Sequence, residues 1–363
     1  MSEVAELAAA LVQIDSVNPA LIAGAAGEVE VARFVSGWLE RAGLEVEVVE
    51  PVAGRPSVIG VTRGTGAGQA LLLNAHLDTV GVQAMEMPFD ARVEDGRLYG
   101  RGSYDMKGAL AAAMFAVADA AALDLSGDVI LTAVADEEVA SLGTEAVLGR
   151  VVADVAIVCE PTELQVAIAH RGFAGFEIET HGVAAHGSRP DLGVDAIAKM
   201  GHVLVALEEL DQRLQAGRRH PLIGTGSLHA SLIEGGQEFS SYPARCLLTG
   251  ERRTLPGETA AEIEADLRHA AGDAELRLLV SREPFEADEG HELVRAVSTA
   301  AGVTGAVGLP FWTDAALIAA AGIPAVLFGP VGEGAHAAVE WVDVSSLERC
   351  REVYAAVATA VCR

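Results

Sequence analysis

Lysine is almost missing from this chain. It occurs only at Lys107 and Lys199, and arginine carries nearly all the positive charge. Lys+Arg total 25 against Asp+Glu 52, a formal charge of -27 with a pI near 4.6. A surface so acidic repels phosphate backbones and anionic membranes, which argues against nucleic acid and membrane partners. Aromatic residues are also scarce, at 4% against a hydrophobic content of 51%, so a large core must be built from Ala, Val, Leu and Ile. The four cysteines (Cys159, Cys246, Cys350 and Cys362) are scattered and form no C-x-x-C pair, which points to reduced thiols and away from a disulfide framework. The start Met1-Ser2-Glu3-Val4 has no basic segment of a signal peptide, and the apolar stretch 108–118 is cut by Asp119, short of the ~18 residues of a spanning helix. The expectation is a soluble, cytoplasmic protein. No H-E-x-x-H, G-x-S-x-G or G-x-G-x-x-G stretch occurs, which removes the mononuclear zincin, serine hydrolase and Rossmann readings as far as motifs can.

What is present begins with Leu71-Leu72-Leu73-Asn74-Ala75-His76-Leu77-Asp78, an apolar run that reads as a buried strand entering a functional loop. His76 and Asp78 leave the same face of an extended chain, so the carboxylate can act as a second ligand or fix the imidazole tautomer. Next comes Gly100-Arg101-Gly102-Ser103-Tyr104-Asp105-Met106-Lys107-Gly108, a glycine-punctuated loop with Asp105 at its centre, opening onto an alanine-rich helix.

At 363 residues the chain suggests about two domains at ~150 residues each. Helices are expected at 4–14, 27–42, 107–122 and 142–150, alternating with strands at 44–49, 57–61, 70–75, 128–135 and 155–159, and a hairpin turns at Asp95-Gly96. This alternation predicts an α/β domain with a largely parallel, covered sheet. From Phe173 the order becomes strand, helix, strand, strand, helix, strand, the ferredoxin-like βαββαβ arrangement. The α/β pattern resumes after Glu286. The reading is a larger domain in two parts, 1–171 and 286–363, with a smaller domain, 172–285, inserted between them.

Strand ends carry His76 and Asp78, Asp136-Glu137-Glu138, and Cys159-Glu160, while loops carry Asp105 and His336. Sites in open α/β sheets lie outside the carboxyl ends of strands, so these groups are expected to converge. Carboxylates gathered in a low-dielectric cleft repel one another unless cations compensate. Two His with three or four carboxylates and no thiolate motif suit a pair of divalent ions, zinc by default. Taken singly, Glu137-Glu138 also fits a solvated acidic turn and Glu160 a residue at a helix start.

With these residues in view, the chain resembles the M20 metallopeptidase family, which includes acetylornithine deacetylase, succinyl-diaminopimelate desuccinylase, aminoacylase-1 and glutamate carboxypeptidase. The resemblance covers nearly the whole chain. It rests on His76-Leu77-Asp78, Gly100-Arg101-Gly102 with Asp105-Met106-Lys107-Gly108, Asp136-Glu137-Glu138, Glu160-Pro161-Thr162, Ala185-His186, Arg253-Thr254-Leu255-Pro256-Gly257, Thr313-Asp314-Ala315, and Gly329-Pro330 leading to His336. It implies a zinc-peptidase-like catalytic domain, with the ferredoxin-like insert serving as lid and dimerisation domain. It also implies that His76 and Glu160 bind one ion, Glu138 and His336 the other, and that Asp105 bridges them. Asp78 would orient His76, and Glu137 would be the general base for a metal-activated water. His186 would stabilise the oxyanion, from the partner subunit in family dimers, and Arg253 would bind a substrate carboxylate.

Departures from the family pattern fall near the expected substrate pocket: Ser240 stands where Asn is common, and Ala337 and Val339 precede Glu340 where Thr and Asp are common. Trp312 reads as a pocket residue or as a buried core tryptophan. The expected activity is therefore a dinuclear amidohydrolase removing an acyl group from an N-acyl amino acid, with two Zn2+ per chain (Co2+ or Mn2+ as substitutes). A dipeptidase or carboxypeptidase is the alternative, and an inactive metal-binding protein the reading from another class. The partners implied are a small N-acyl amino acid or short peptide and a second copy of the chain.

Overall fold

The computed structural model describes residues 2–66 and 68–363. The chain separates into two compact units, one formed by 1–168, 287–307 and 313–363, the other by 169–286 with 308–312. Residues 308–312, assigned by sequence to the second part of the larger domain, thus group with the second unit. The reason is local. A Cβ on Gly308 would lie 2.3 Å from Ile223, and Trp312 packs edge-on against Phe173 and His170.

The first unit is built on a mixed sheet in the order Glu45–Val49, Ser57–Thr62, Val129–Val134, Leu71–His76, Val155–Val158, Ala325–Leu327, Ala167–His170, the last strand passing at Ala169 into the second unit. Only the central strands, Val129–Val134 to Ala325–Leu327, run parallel, and the flanking pairs are antiparallel. The expectation of a largely parallel sheet therefore holds for its centre alone. Leu71–His76 and Val129–Val134 are buried along their whole length, as continuous apolar runs in a covered sheet must be. Leu71, Leu73, Ala75, Val129, Leu131 and Ala133 join one core with helices Glu3–Val12, Val29–Arg41, Gly108–Asp119, Glu292–Ala301 and Val344–Val361. Gly108–Asp119 is nearly all alanine and other small or apolar residues, which combines the best helix propensity with close approach on every side. No helix among the described residues is long and apolar enough to cross a membrane.

A second, four-stranded antiparallel sheet in this unit joins Gly332–Glu333, Trp341–Asp343, Arg97–Tyr99 and Val93–Glu94. Apart from the expected hairpin at Asp95-Gly96, its strands were not expected from sequence. Two- and three-residue strands are too short to show an alternation.

The second unit is an antiparallel sheet in the order Ser227–Gly235, Arg245–Thr254, Gly172–His181, Glu275–Arg282. With helices Ala196–Ala216 and Ala260–Ala271 the chain order is βαββαβ. Burial alternates along Gly172–His181, and Ala174, Phe176 and Ile178 pack against Met200, Val203, Leu207, Ile263 and Leu267. A complete capping box, Thr259 with Glu262, starts the Ala260–Ala271 helix by satisfying its first free N–H groups.

Candidate metal centre

His76 ends its strand buried, with Nε2 3.0 Å from Asp105 Oδ1 and 3.8 Å from Glu160 Oε1. Nδ1 lies 2.9 Å from the backbone oxygen of Asp78, whereas the nearer Asp78 carboxylate oxygen is 3.8 Å away. The main chain therefore fixes the imidazole tautomer. The Asp78 carboxylate turns elsewhere: Oδ1 accepts from Glu137 N at 3.0 Å, and Oδ2 from Glu138 N at 3.2 Å and Asn18 Nδ2 at 2.7 Å. The sequence expectation that this carboxylate orients His76 is replaced by a role in holding the Glu137-Glu138 turn. The reason is that the strand stops at His76, so the extended-chain geometry that puts residues two apart on one face no longer applies.

That turn leaves Val129–Val134 through Asp136, which adopts φ +71°. Asp136 Oδ1 accepts from Asn18 Nδ2 at 2.9 Å and from Arg55, whose guanidinium also forms a two-pronged pair with Glu28 at 2.6 and 2.7 Å. All four of these side chains are buried. Sequence reasoning missed Asn18, Glu28 and Arg55, which lie far from the motifs and carry no local pattern.

His336 sits in the loop between Gly332–Glu333 and Trp341–Asp343 at φ +62°. Its Nε2 is 3.3 Å from Asp105 Oδ2 and 3.1 Å from Glu138 Oε2. Asp105 thus stands between the two histidines with one oxygen toward each. Donor atoms of His76, Asp105 and Glu138 all lie within 4.8 Å of one another, as do those of His76, Glu137 and Glu160. The structure therefore brings together all five expected ligands, with Glu137 as close to them as a ligand would be. Asp314, of the Thr313-Asp314-Ala315 segment, is buried beside them and accepts from Thr144 Oγ1.

Electrostatics describe a site short of positive charge. Burial, then the charge of Glu160, raises the Glu137 pKa well above the carboxylate range; burial and Asp105 do the same to Glu160, and Glu138 is also raised. Burial opposes the His76 imidazolium, but the Asp105 hydrogen bond and the charges of Glu160, Asp105 and Glu137 outweigh it and raise that pKa strongly. His336 is pushed up to about 10 by its bonds to Asp105 and Glu138. Asp314 is raised to about 6, by burial. Glu138 Oε1 is buried without a hydrogen-bond partner among the described residues. Hard oxygen and imidazole donors with an unsatisfied buried carboxylate oxygen fit divalent cations.

The other expected residues lie in the second unit. His186 is exposed, with Nδ1 2.8 Å from Ser188 Oγ and accepting from Ser188 N at 3.2 Å. Ser240 is exposed, and its backbone oxygen accepts from Gly187 N at 2.7 Å. Arg253 Nε lies 2.6 Å from Glu251 Oε1, with the guanidinium 5.5 Å from the Phe173 ring centre. Trp312 is half-buried and donates to Glu283 O at 3.0 Å.

The sequence model of peptidase family M20/M25/M40 matches residues 72–360. An acetylornithine deacetylase from Proteus mirabilis is 31% identical over 340 residues, covering 88% of this chain and 87% of the relative. Another from Myxococcus xanthus is 31% identical over 376 residues, covering 95% and 93%. Among solved structures, aminopeptidase PepT from Bacillus cereus superposes with a TM-score of 0.82 at 20% identity, covering 99% of this chain and 98% of that one.

Proposed function

Because the chain belongs to peptidase family M20/M25/M40, and so is a metal-dependent hydrolase of amide bonds, we propose that it removes the acyl group from an N-acyl amino acid, in the manner of an acetylornithine deacetylase or desuccinylase. The observation that carries this reading is the half-buried Glu137 carboxyl, on a residue whose backbone N–H donates to Asp78, lying within 4.8 Å of His76 and Glu160 donor atoms. Similarity to two acetylornithine deacetylases supports the deacylase over the peptidase form.

His76 and Glu160 would hold one ion, Glu138 and His336 the other, and Asp105 would reach both. The chemistry such a zinc pair supplies when bound is polarisation of the scissile carbonyl and a lowered pKa of water, toward ~7. Glu137 takes a proton from the attacking water as oxygen bonds to the carbonyl carbon, then delivers it to the nitrogen as the C–N bond breaks. Ser188 N donating to His186 Nδ1 leaves Nε2 to carry the ring proton, the tautomer a donor to an oxyanion needs. In a homodimer that donor comes from His186 of the partner subunit. Support for the dimer is the edge strand Ser227–Gly235, which ends a sheet and exposes Leu232 at 68% and Ile233 at 53%. Arg253 would exchange Glu251 for the substrate carboxylate, while Ser240, in the loop at the other end of the Ser227–Gly235/Arg245–Thr254 hairpin, lies beside the His186 loop and would act with it. A planar guanidinium matches a carboxylate with two bonds.

A panel of N-acetyl, N-succinyl and dipeptide substrates, with zinc and with cobalt, tests the assignment. N-acyl amino acids should be turned over with the highest kcat/KM, and dipeptides hydrolysed at equal or greater efficiency overturn it. Amidating the substrate carboxylate should cost wild type far more than Arg253→Ala, and equal sensitivity in both removes Arg253 from the site.

A further inference from the structure

The two halves of the centre are supported differently. His76 ends Leu71–His76 and Glu160 lies two residues beyond Val155–Val158, adjacent parallel strands of the large sheet whose register brings the two side by side. His336 hangs on a loop of the small antiparallel sheet, whose Tyr99–Trp341 register brings that loop beside the chain leading to Asp105 but ends before either ligand. The loop is closed at its neck, since a Cβ on Gly334, at φ +89°, would lie 1.9 Å from Val339 O. What ties it to the Asp105 loop is a fully buried pair, Arg101 at 1% and Glu340 at 2% exposure.

The pair is wired to both loops. Arg101 gives one guanidinium nitrogen to Glu340 Oε2 at 2.6 Å and the other to Ala337 O, one residue after His336, at 2.8 Å. Glu340 Oε1 accepts from the backbone N–H groups of Tyr104 and Asp105 at 3.0 and 3.1 Å. Gly100 N donates to Glu340 O at 3.2 Å, closing the circuit. One guanidinium fork thus grips the His336 loop while its counter-ion caps the Asp105 loop.

We propose that Arg101 and Glu340 are positioning residues for the His336 half of the centre, setting the affinity of the ion held by Glu138 and His336 more strongly than that of the one held by His76 and Glu160, which they touch only through Asp105. This rests on the two-ion reading above. A buried ion pair contributes little net stability when intact, so its worth here is the geometry it imposes. Partners of this kind, once removed, cost roughly 10–100-fold in metal affinity.

The full chain, stripped with chelator and refilled with Co2+, is followed by visible absorption and by ions retained after dialysis. Wild type should take up two ions per chain. Glu340→Gln should weaken the second ion about 10–100-fold and the first by clearly less. Since an unpaired buried Arg101 can unfold that variant, the double variant Arg101→Met/Glu340→Gln removes both charges together and should show the same selective loss, with an unchanged circular dichroism spectrum. Folded variants that bind both ions as wild type does, or lose both in parallel, overturn the inference alone. A wild type that holds a single ion overturns the two-ion reading and the inference with it.

Discussion

Replacing Asp78 by Asn keeps the side chain's shape and exchanges one carboxylate oxygen for an NH2 group. The consequence follows from three hydrogen bonds: Oδ1 serves Glu137 N, while Oδ2 serves both Glu138 N and Asn18 Nδ2. An amide has one oxygen, and the less costly placement puts it where two donors converge. The NH2 then faces the Glu137 N–H, donor against donor, in a site with no exposure. A buried N–H left unmade costs about 1–3 kcal/mol, and the two surviving bonds each drop by about 1 kcal/mol on losing the charge. Relief of repulsion with neighbouring carboxylates offsets part of this, for a net destabilisation of about 2–4 kcal/mol. Urea unfolding measures it as a lower midpoint at unchanged slope. Because the orphaned N–H is that of Glu137, its carboxylate shifts, and a misplacement of about 1 Å costs ~10²-fold in kcat. The His76 imidazole is held by a backbone oxygen and should keep its ion. Asp78→Asn that loses the ion at His76, and whose kcat returns to the wild-type value in excess metal, would refute the reasoning and restore the carboxylate as the orienter of His76.

Glu137→Gln should keep two ions and lose ~10²–10⁴-fold in turnover, while Glu138→Gln should lose an ion; exchanged behaviours would reverse the base and ligand assignments. Co-expressing His186→Ala with Glu137→Gln should regain about half of wild-type activity in the heterodimer, since one of its two sites then has both groups. A heterodimer as inactive as its parents places His186 in its own subunit's site. The four cysteines are buried, with Cys159 pushed up to about 12 and Cys362 to about 11 by burial, so native protein should yield fewer than one reactive thiol per chain at pH 8 and four when denatured. The unfolded chain releases those protons from about 9 upward while the folded chain holds them, so stability should fall as pH rises above that value; a flat profile from pH 9 to 11 refutes it.

The centre was legible in the sequence because metal chemistry restricts residue type. His76, Asp105, Glu138, Glu160 and His336 each sit at a strand end or loop whose flanking pattern was readable, and the structure gathers them. The βαββαβ order was legible for a similar reason, since its strands are eight to ten residues long and alternate or run apolar. What could not be read is the wiring behind the centre. Asn18, Glu28, Arg55 and Glu340 reach their partners across 27 to 239 residues of chain, and a polar residue in a loop looks the same whether it is solvated or buried. Sheet direction failed at the flanks for a related reason. An apolar run announces a buried strand but not which way its neighbour runs.

The parallel centre of the large sheet is assembled from distant parts of the chain, and this sets an order of events during synthesis. Val155–Val158 has two neighbours, Leu71–His76, made before it, and Ala325–Leu327, made long after the whole βαββαβ unit. At ~5–20 residues per second the gap lasts on the order of ten seconds, longer than a ferredoxin-like unit needs to fold. Throughout that interval Val-Ala-Ile-Val is an apolar strand with one edge unpaired, the template on which nascent chains associate. Helix Val344–Val361, which seals the core against Gly108–Asp119, arrives later still. Rapid synthesis at high temperature should therefore deposit this protein as aggregate, while slow synthesis in the cold or a chaperone that shields strand edges should recover it.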